Sequence, residues 1–180
     1  MDFEKTLRFL IRNFKEKNID YALIGGFALG VFGITRTTID MDFLVDGEKV
    51  DELKKILNLK YKITNENENV LQFSSKEKSY CSIDFLVAKR EISKNILKKA
   101  VEISVFEDDL KIKVARKEDI IGLKVQAIKN NPKRYIKEIY DIEVVMERYG
   151  KKLNWEKIEE YFRLFDMGKD YEELRDKYEK

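Results

Sequence analysis

Ile19-Asp20-Tyr21-Ala22-Leu23-Ile24-Gly25-Gly26-Phe27-Ala28-Leu29-Gly30, followed by Ile39-Asp40-Met41-Asp42-Phe43-Leu44-Val45, decides the architecture. The run Ile19 to Ile24 reads as a short buried strand. Gly25-Gly26 then turns the chain into an apolar helix through about Phe32, and Ile39 to Val45 forms a second strand. Side chains alternate along a strand, so Asp40 and Asp42 project from one face, about 7 Å apart at the backbone for a rise of about 3.3 Å per residue. Two carboxylates so placed can converge on one cation; alternatively they open a strand and stay solvated. Ile39, Met41 and Phe43 surround them, and unpaired charge is costly in an apolar sheet, which favours the cation.

Working outward, Phe3, Leu7, Leu10, Ile11 and Phe14 have the spacing of an amphipathic helix, and so do Val50, Leu53, Ile56 and Leu57 within 48–58. Tyr61 to Thr64, Val70 to Phe73 and Cys81 to Val87 read as strands, and Asp108-Asp109 between two apolar runs predicts a hairpin. From Lys117 the pattern is helical to the end, broken at Asn130-Asn131-Pro132, Gly150 and Gly168. These readings predict an α+β core over residues 1–115 and a C-terminal helical region, 116–180, packed on it. Asp42-Phe43-Leu44-Val45 recurs as Asp84-Phe85-Leu86-Val87, which suits two neighbouring strands of one sheet. Asp84 would then join Asp40 and Asp42 in a three-carboxylate cluster.

Composition narrows the chemistry. The chain has no histidine and a single cysteine, Cys81, which excludes Ser-His-Asp triads, Cys-His dyads, His-ligated zinc and intramolecular disulfides. Carboxylates, lysines, tyrosines and oxygen-held metals remain, and an all-carboxylate set suits Mg²⁺ or Mn²⁺. The fourteen residues Tyr21 to Ile34 are the most apolar stretch and are too short to span a bilayer; with the lone cysteine they point to a cytoplasmic protein. Two glutamines beside heavy Lys and Glu use lean toward a thermophile. Fourteen Lys/Arg against seven Asp/Glu between Lys89 and Lys137 could neutralise a triphosphate or a tRNA backbone, or simply form a solvated helix face. Trp155, Phe162, Leu164 and Phe165 read as helical packing.

Gly25-Gly26, where a strand becomes a helix, could admit a phosphate to backbone N–H groups or serve only as a tight turn. The spacing is neither Gly-x-x-x-x-Gly-Lys-Ser/Thr nor Gly-x-Gly-x-x-Gly, which disfavours Walker ATPases and Rossmann oxidoreductases.

Ile24-Gly25-Gly26-Phe27-Ala28-Leu29, Arg36-Thr37-Thr38-Ile39-Asp40-Met41-Asp42 and Ile83-Asp84-Phe85, taken in order, resemble the DNA polymerase beta-like nucleotidyltransferase superfamily. Within it they look most like the abortive-infection toxin-related and minimal nucleotidyltransferases. The resemblance covers about residues 20–145 and implies the nucleotidyltransferase fold, a mixed β-sheet flanked by helices. It implies that Asp40 and Asp42 hold two Mg²⁺ (or Mn²⁺) ions, with Asp84 holding one and acting as base. Gly25, Gly26, Arg36, Thr38 and Lys124 become nucleotide-binding candidates. The implied reaction moves a nucleoside monophosphate from an NTP to a hydroxyl of a small molecule, a tRNA end or a protein, releasing pyrophosphate. The alternative is a non-catalytic module of a toxin–antitoxin-like pair that binds a partner. Phe27 stands where many relatives place a serine, and Lys137-Glu138-Ile139-Tyr140-Asp141 stands where toxin-like relatives have Lys-Asp-x-x-Asp. Lys137 and Asp141 could instead form a simple i,i+4 ion pair.

Overall fold

The computed structural model describes residues 2–107 and 109–179. They divide into two compact units, Met1–Ala115 and Arg116–Lys180.

The first unit is α+β. Its helices are α1 (Phe3–Glu16), α2 (Gly25–Val31), α3 (Val50–Leu57) and α4 (Glu91–Lys98); its strands are β1 (Tyr21–Ile24), β2 (Asp40–Asp46), β3 (Tyr61–Glu66), β4 (Val70–Ser75), β5 (Ser82–Ala88), β6 (Val101–Val105) and β7 (Leu110–Val114). The strands form one mixed sheet in the order β3-β4-β5-β2-β1-β7-β6. β2 runs parallel to β5 and β1 parallel to β7, and the other neighbours are antiparallel.

The central strands alternate as buried sheets do. Met41, Phe43 and Val45 of β2 and Ile83 and Phe85 of β5 are at most 1% exposed. Phe43 stacks on Phe85 at 5.8 Å, and Phe14 of α1 meets both rings edge-on. α1 is started by Asp2, whose carboxylate accepts the Lys5 N–H at 2.9 Å, and buries Leu7, Leu10 and Phe14. Burying such a row of large apolar side chains contributes about 1.5–3 kcal/mol each, which is why the helix docks on this face of the sheet. On the opposite face α4 packs over β2 and β5.

Residues 91–98 form α4, a helix to which the residue pattern gave no signal. Ile39 is 61% exposed, so it does not help bury the aspartates as the sequence reading supposed. The β6–β7 hairpin is formed; Asp108 lies outside the described residues, and Phe106 and Glu107 turn the chain with φ of 53° and 57°.

The second unit holds four helices, α5 (Lys117–Asn130), α6 (Tyr135–Tyr149), α7 (Trp155–Leu164) and α8 (Gly168–Tyr178). Asn131 caps the Pro132–Arg134 turn and Asn154 caps α7. Gly168 opens α8. Trp155 and Phe162 are buried, whereas Leu164 is 56% exposed and does no packing of the kind the sequence predicts. Gly122 of α5 lies flat against the Tyr161 ring, where a Cβ would come within 2.5 Å.

The unit's interior is charged as well as apolar. Lys124 Nζ lies 2.8 Å from Glu138 Oε2 and 2.5 Å from Asp141 Oδ2, with all three residues no more than 6% exposed. Arg134 reaches the other oxygen of Glu138. Burial alone would raise the Glu138 carboxyl, but Lys124 and Arg134 outweigh it and hold the group below its ordinary range. A carboxylate depressed in the folded state adds stability that is complete above its unfolded value, about 4.3, and is lost as pH falls through the folded one. The urea midpoint should therefore decline as pH is lowered below about 4.3, and decline less steeply in Glu138→Gln.

Candidate active site

The first unit brings the sequence-predicted residues other than Lys124 together at one place on the sheet. Asp42 of β2 sits directly beside Asp84 of β5, so Asp-Phe-Leu-Val of one strand lies residue for residue against Asp-Phe-Leu-Val of the other. Asp42 is also opposite Ile24, the last residue of β1. Asp40, Asp42 and Asp84 are all partly exposed, on the face opposite Met41, Phe43, Ile83 and Phe85.

Contact requires glycine at position 25 and leaves little room for a side chain at position 26. Gly25 has φ +68°, and a Cβ there would fall 2.1 Å from Asp42 Oδ2, so glycine leaves the space the carboxylate occupies. At Gly26 a Cβ would meet Thr38 Cβ at 3.1 Å and Arg36 Cδ at 3.7 Å. The loop before β2 thus folds back over the start of α2, and the Thr38 hydroxyl ties it to the strand by donating to the Asp40 carbonyl at 3.0 Å. Phe27 is committed to packing: its ring stacks on Phe3 at 5.2 Å.

Electrostatics follow from the crowding of acids. The Asp84 carboxyl is pushed up by burial, pulled back by the amide of Gln72, and pushed up again by Asp40. Gln72 Nε2 donates to Asp84 Oδ2 at 2.7 Å. This donor is neutral, so it orients the acid without supplying positive charge. Among the described residues no three acidic, cysteine or histidine side chains enclose a cation site as they stand. The donor set nevertheless fits a hard divalent cation: three carboxylates on one face, one of them already disfavoured as an anion by burial and by a neighbouring acid. Gln72 went unnoticed in the sequence, where only its place one strand beyond Asp84 could have marked it.

Lys124 belongs to the second unit, where its ammonium is held by Glu138 and Asp141. The pairing inferred for Lys137 and Asp141 is replaced by this buried one: Lys137 is exposed, and Asp141 serves Lys124. Solvent-exposed i,i+4 pairs and buried triads look alike in a sequence, because Glu138 and Asp141 share a helix with Lys137 while Lys124 comes from the helix before.

A mixed sheet with the Gly-Gly turn against Asp42, flanked by helices, is the nucleotidyltransferase fold. The family model "Nucleotidyl transferase AbiEii toxin, Type IV TA system" matches residues 8–177, and the chain belongs to that family. Among solved structures it is similar to antibiotic-resistance factor ANT(2'')-Ia, at 17% identity and TM-score 0.64 over 96% of this chain and 95% of that one. It is also similar to the lincosamide antibiotic adenylyltransferase LnuA with lincomycin bound, at 17% identity and TM-score 0.57 over 80% and 96%. An antigenic nucleotidyltransferase-like protein from Paracoccidioides brasiliensis aligns at 16% identity and TM-score 0.55 over 94% and 90%. No curated protein matches the sequence. No helix among the described residues is long and apolar enough to cross a membrane.

Proposed function

We propose that the protein transfers a nucleoside monophosphate from an NTP to a hydroxyl acceptor, with Asp40, Asp42 and Asp84 as the ligands of Mg²⁺ or Mn²⁺. The observation that carries this reading is the lateral alignment of Asp42 with Asp84 in parallel strands, with Asp42 seated in the space left by Gly25. The bound cation would supply Lewis-acid polarisation of the phosphoryl oxygens and favour the ionised acceptor hydroxyl.

The chain's own groups divide the remaining work. Asp84, partly buried and raised by its surroundings, is suited to take the proton of the attacking hydroxyl. Gly25 and Gly26 keep the turn bare of side chains, and Arg36 and Thr38, folded over Gly26, are placed to meet the triphosphate. Arg36 offers a planar, always-charged donor fork suited to phosphate oxygens. Phe27 supplies no hydroxyl, so triphosphate contacts fall to the backbone and to Arg36 and Thr38. A phosphate role for Lys124 would require its ammonium to leave Glu138 or Asp141. The acceptor is a hydroxyl of a small molecule, a tRNA end or a protein, and pyrophosphate leaves.

The test is a melting experiment with each of the four NTPs, with and without Mg²⁺ or Mn²⁺, followed by transfer of label from α-labelled NTP into cell-extract fractions. A saturating nucleotide with metal should raise the melting temperature by about 5–10 °C, and neither component alone should match it. No metal-dependent shift with any NTP would instead support the partner-binding module, for which the lack of a hydroxyl at Phe27 is the specific observation.

A further inference from the structure

The side of the site away from the glycines is built by an irregularity in the sheet. β3 and β4 pair regularly from Tyr61↔Ser75 to Ile63↔Phe73, and then the register shifts so that Asn65, not Thr64, stands opposite Gln72. Thr64 is the extra residue of a β-bulge. Without it Asn65 would stand opposite Leu71, whose side chain is buried on the apolar face. With it, Asn65 comes round to the polar face, where its Nδ2 donates to Gln72 Oε1 at 3.0 Å. The Thr64 hydroxyl meanwhile donates to the Gln72 carbonyl at 3.2 Å.

We infer that Gln72, aimed by Asn65 across the Thr64 bulge, is a positioning residue for Asp84. The amide of a glutamine has one accepting and one donating end. Asn65 occupies the accepting end, which turns the donating end toward Asp84 at 2.7 Å. A row of side chains thus crosses four adjacent strands, Asn65 of β3, Gln72 of β4, Asp84 of β5 and Asp42 of β2. One oxygen of Asp84 is fixed by Gln72 and the other is left for its work. Bulges recur beside active sites because they re-aim single side chains in this way. Partners that orient metal ligands typically change metal affinity by about 10–100-fold when removed.

This inference rests on the metal-site reading above, and the experiment separates the two. Mn²⁺ binding to the purified full chain without nucleotide would be read from the free-ion electron paramagnetic resonance signal, with circular dichroism melting as the check on folding. Gln72→Leu should weaken Mn²⁺ binding by about tenfold. Asn65→Ala, at an exposed position where the fold is not at stake, should weaken it by a smaller factor. The double variant should bind no more weakly than Gln72→Leu alone, since Asn65 acts only through Gln72. If Gln72→Leu binds Mn²⁺ as the wild type does while Asp84→Asn loses it, the positioning role is overturned and the metal site stands. If Asp84→Asn also binds as the wild type does, the inference falls together with the metal site.

Discussion

Asp42→Asn should lower nucleotidyl transfer by about a hundredfold to a thousandfold, the range seen when one preorganised electrostatic stabiliser is removed. The substitution keeps the volume that fits against Gly25 and removes only the charge, so the geometry of the β1–α2 turn should survive. Because the side chain keeps its shape, the melting temperature should stay within about 3 °C of the wild type. Rates would be measured as label transferred from NTP, and the fold checked by circular dichroism. Transfer at the wild-type rate would remove Asp42 from the reaction.

Lys124→Met should destabilise the second unit by about 3–5 kcal/mol, because Glu138 and Asp141 would lose the buried cation they share, Glu138 keeping the half-exposed Arg134. For a fold whose whole stability is of the order of 5–15 kcal/mol that is a large fraction. The cost is that of stranding charge, not a measure of what the triad contributes. Lys124→Met combined with Glu138→Gln and Asp141→Asn should therefore recover most of the loss, since neutral groups of similar shape remain. Urea denaturation followed by far-ultraviolet circular dichroism distinguishes these outcomes. An unchanged midpoint in Lys124→Met would mean that the ammonium contributes nothing to the fold and is held there for another reason.

How much of this was legible in the sequence depends on distance along the chain. The α+β class, the strand, Gly-Gly turn and helix of residues 21–31, and the aspartate-bearing strand all follow from local periodicity, and each element exists. The repeated Asp-Phe-Leu-Val signalled neighbouring strands before any register was known, because two strands buried in the same layers need the same alternation. α4 was missed because eight residues between two strands carry too few apolar positions to announce a helical period. Ile39 was misplaced because apolarity was taken for burial at the exposed end of a loop. Gln72 and Asn65 were invisible for a different reason: their meeting depends on one extra residue in a strand pairing, and pairing register is a tertiary property. The Lys124 triad joins two helices and hid for the same reason.

β3 is also one of the two outer strands of the sheet, with all but its first residue exposed and with Lys62 and Glu66 among its side chains. A bare outer strand is a template on which another molecule can continue the ladder and aggregate. The kink at Thr64 breaks that template halfway along, and the flanking charges make stacking of like strands unfavourable. A single inserted threonine therefore makes it unfavourable for another strand to extend the ladder along this edge.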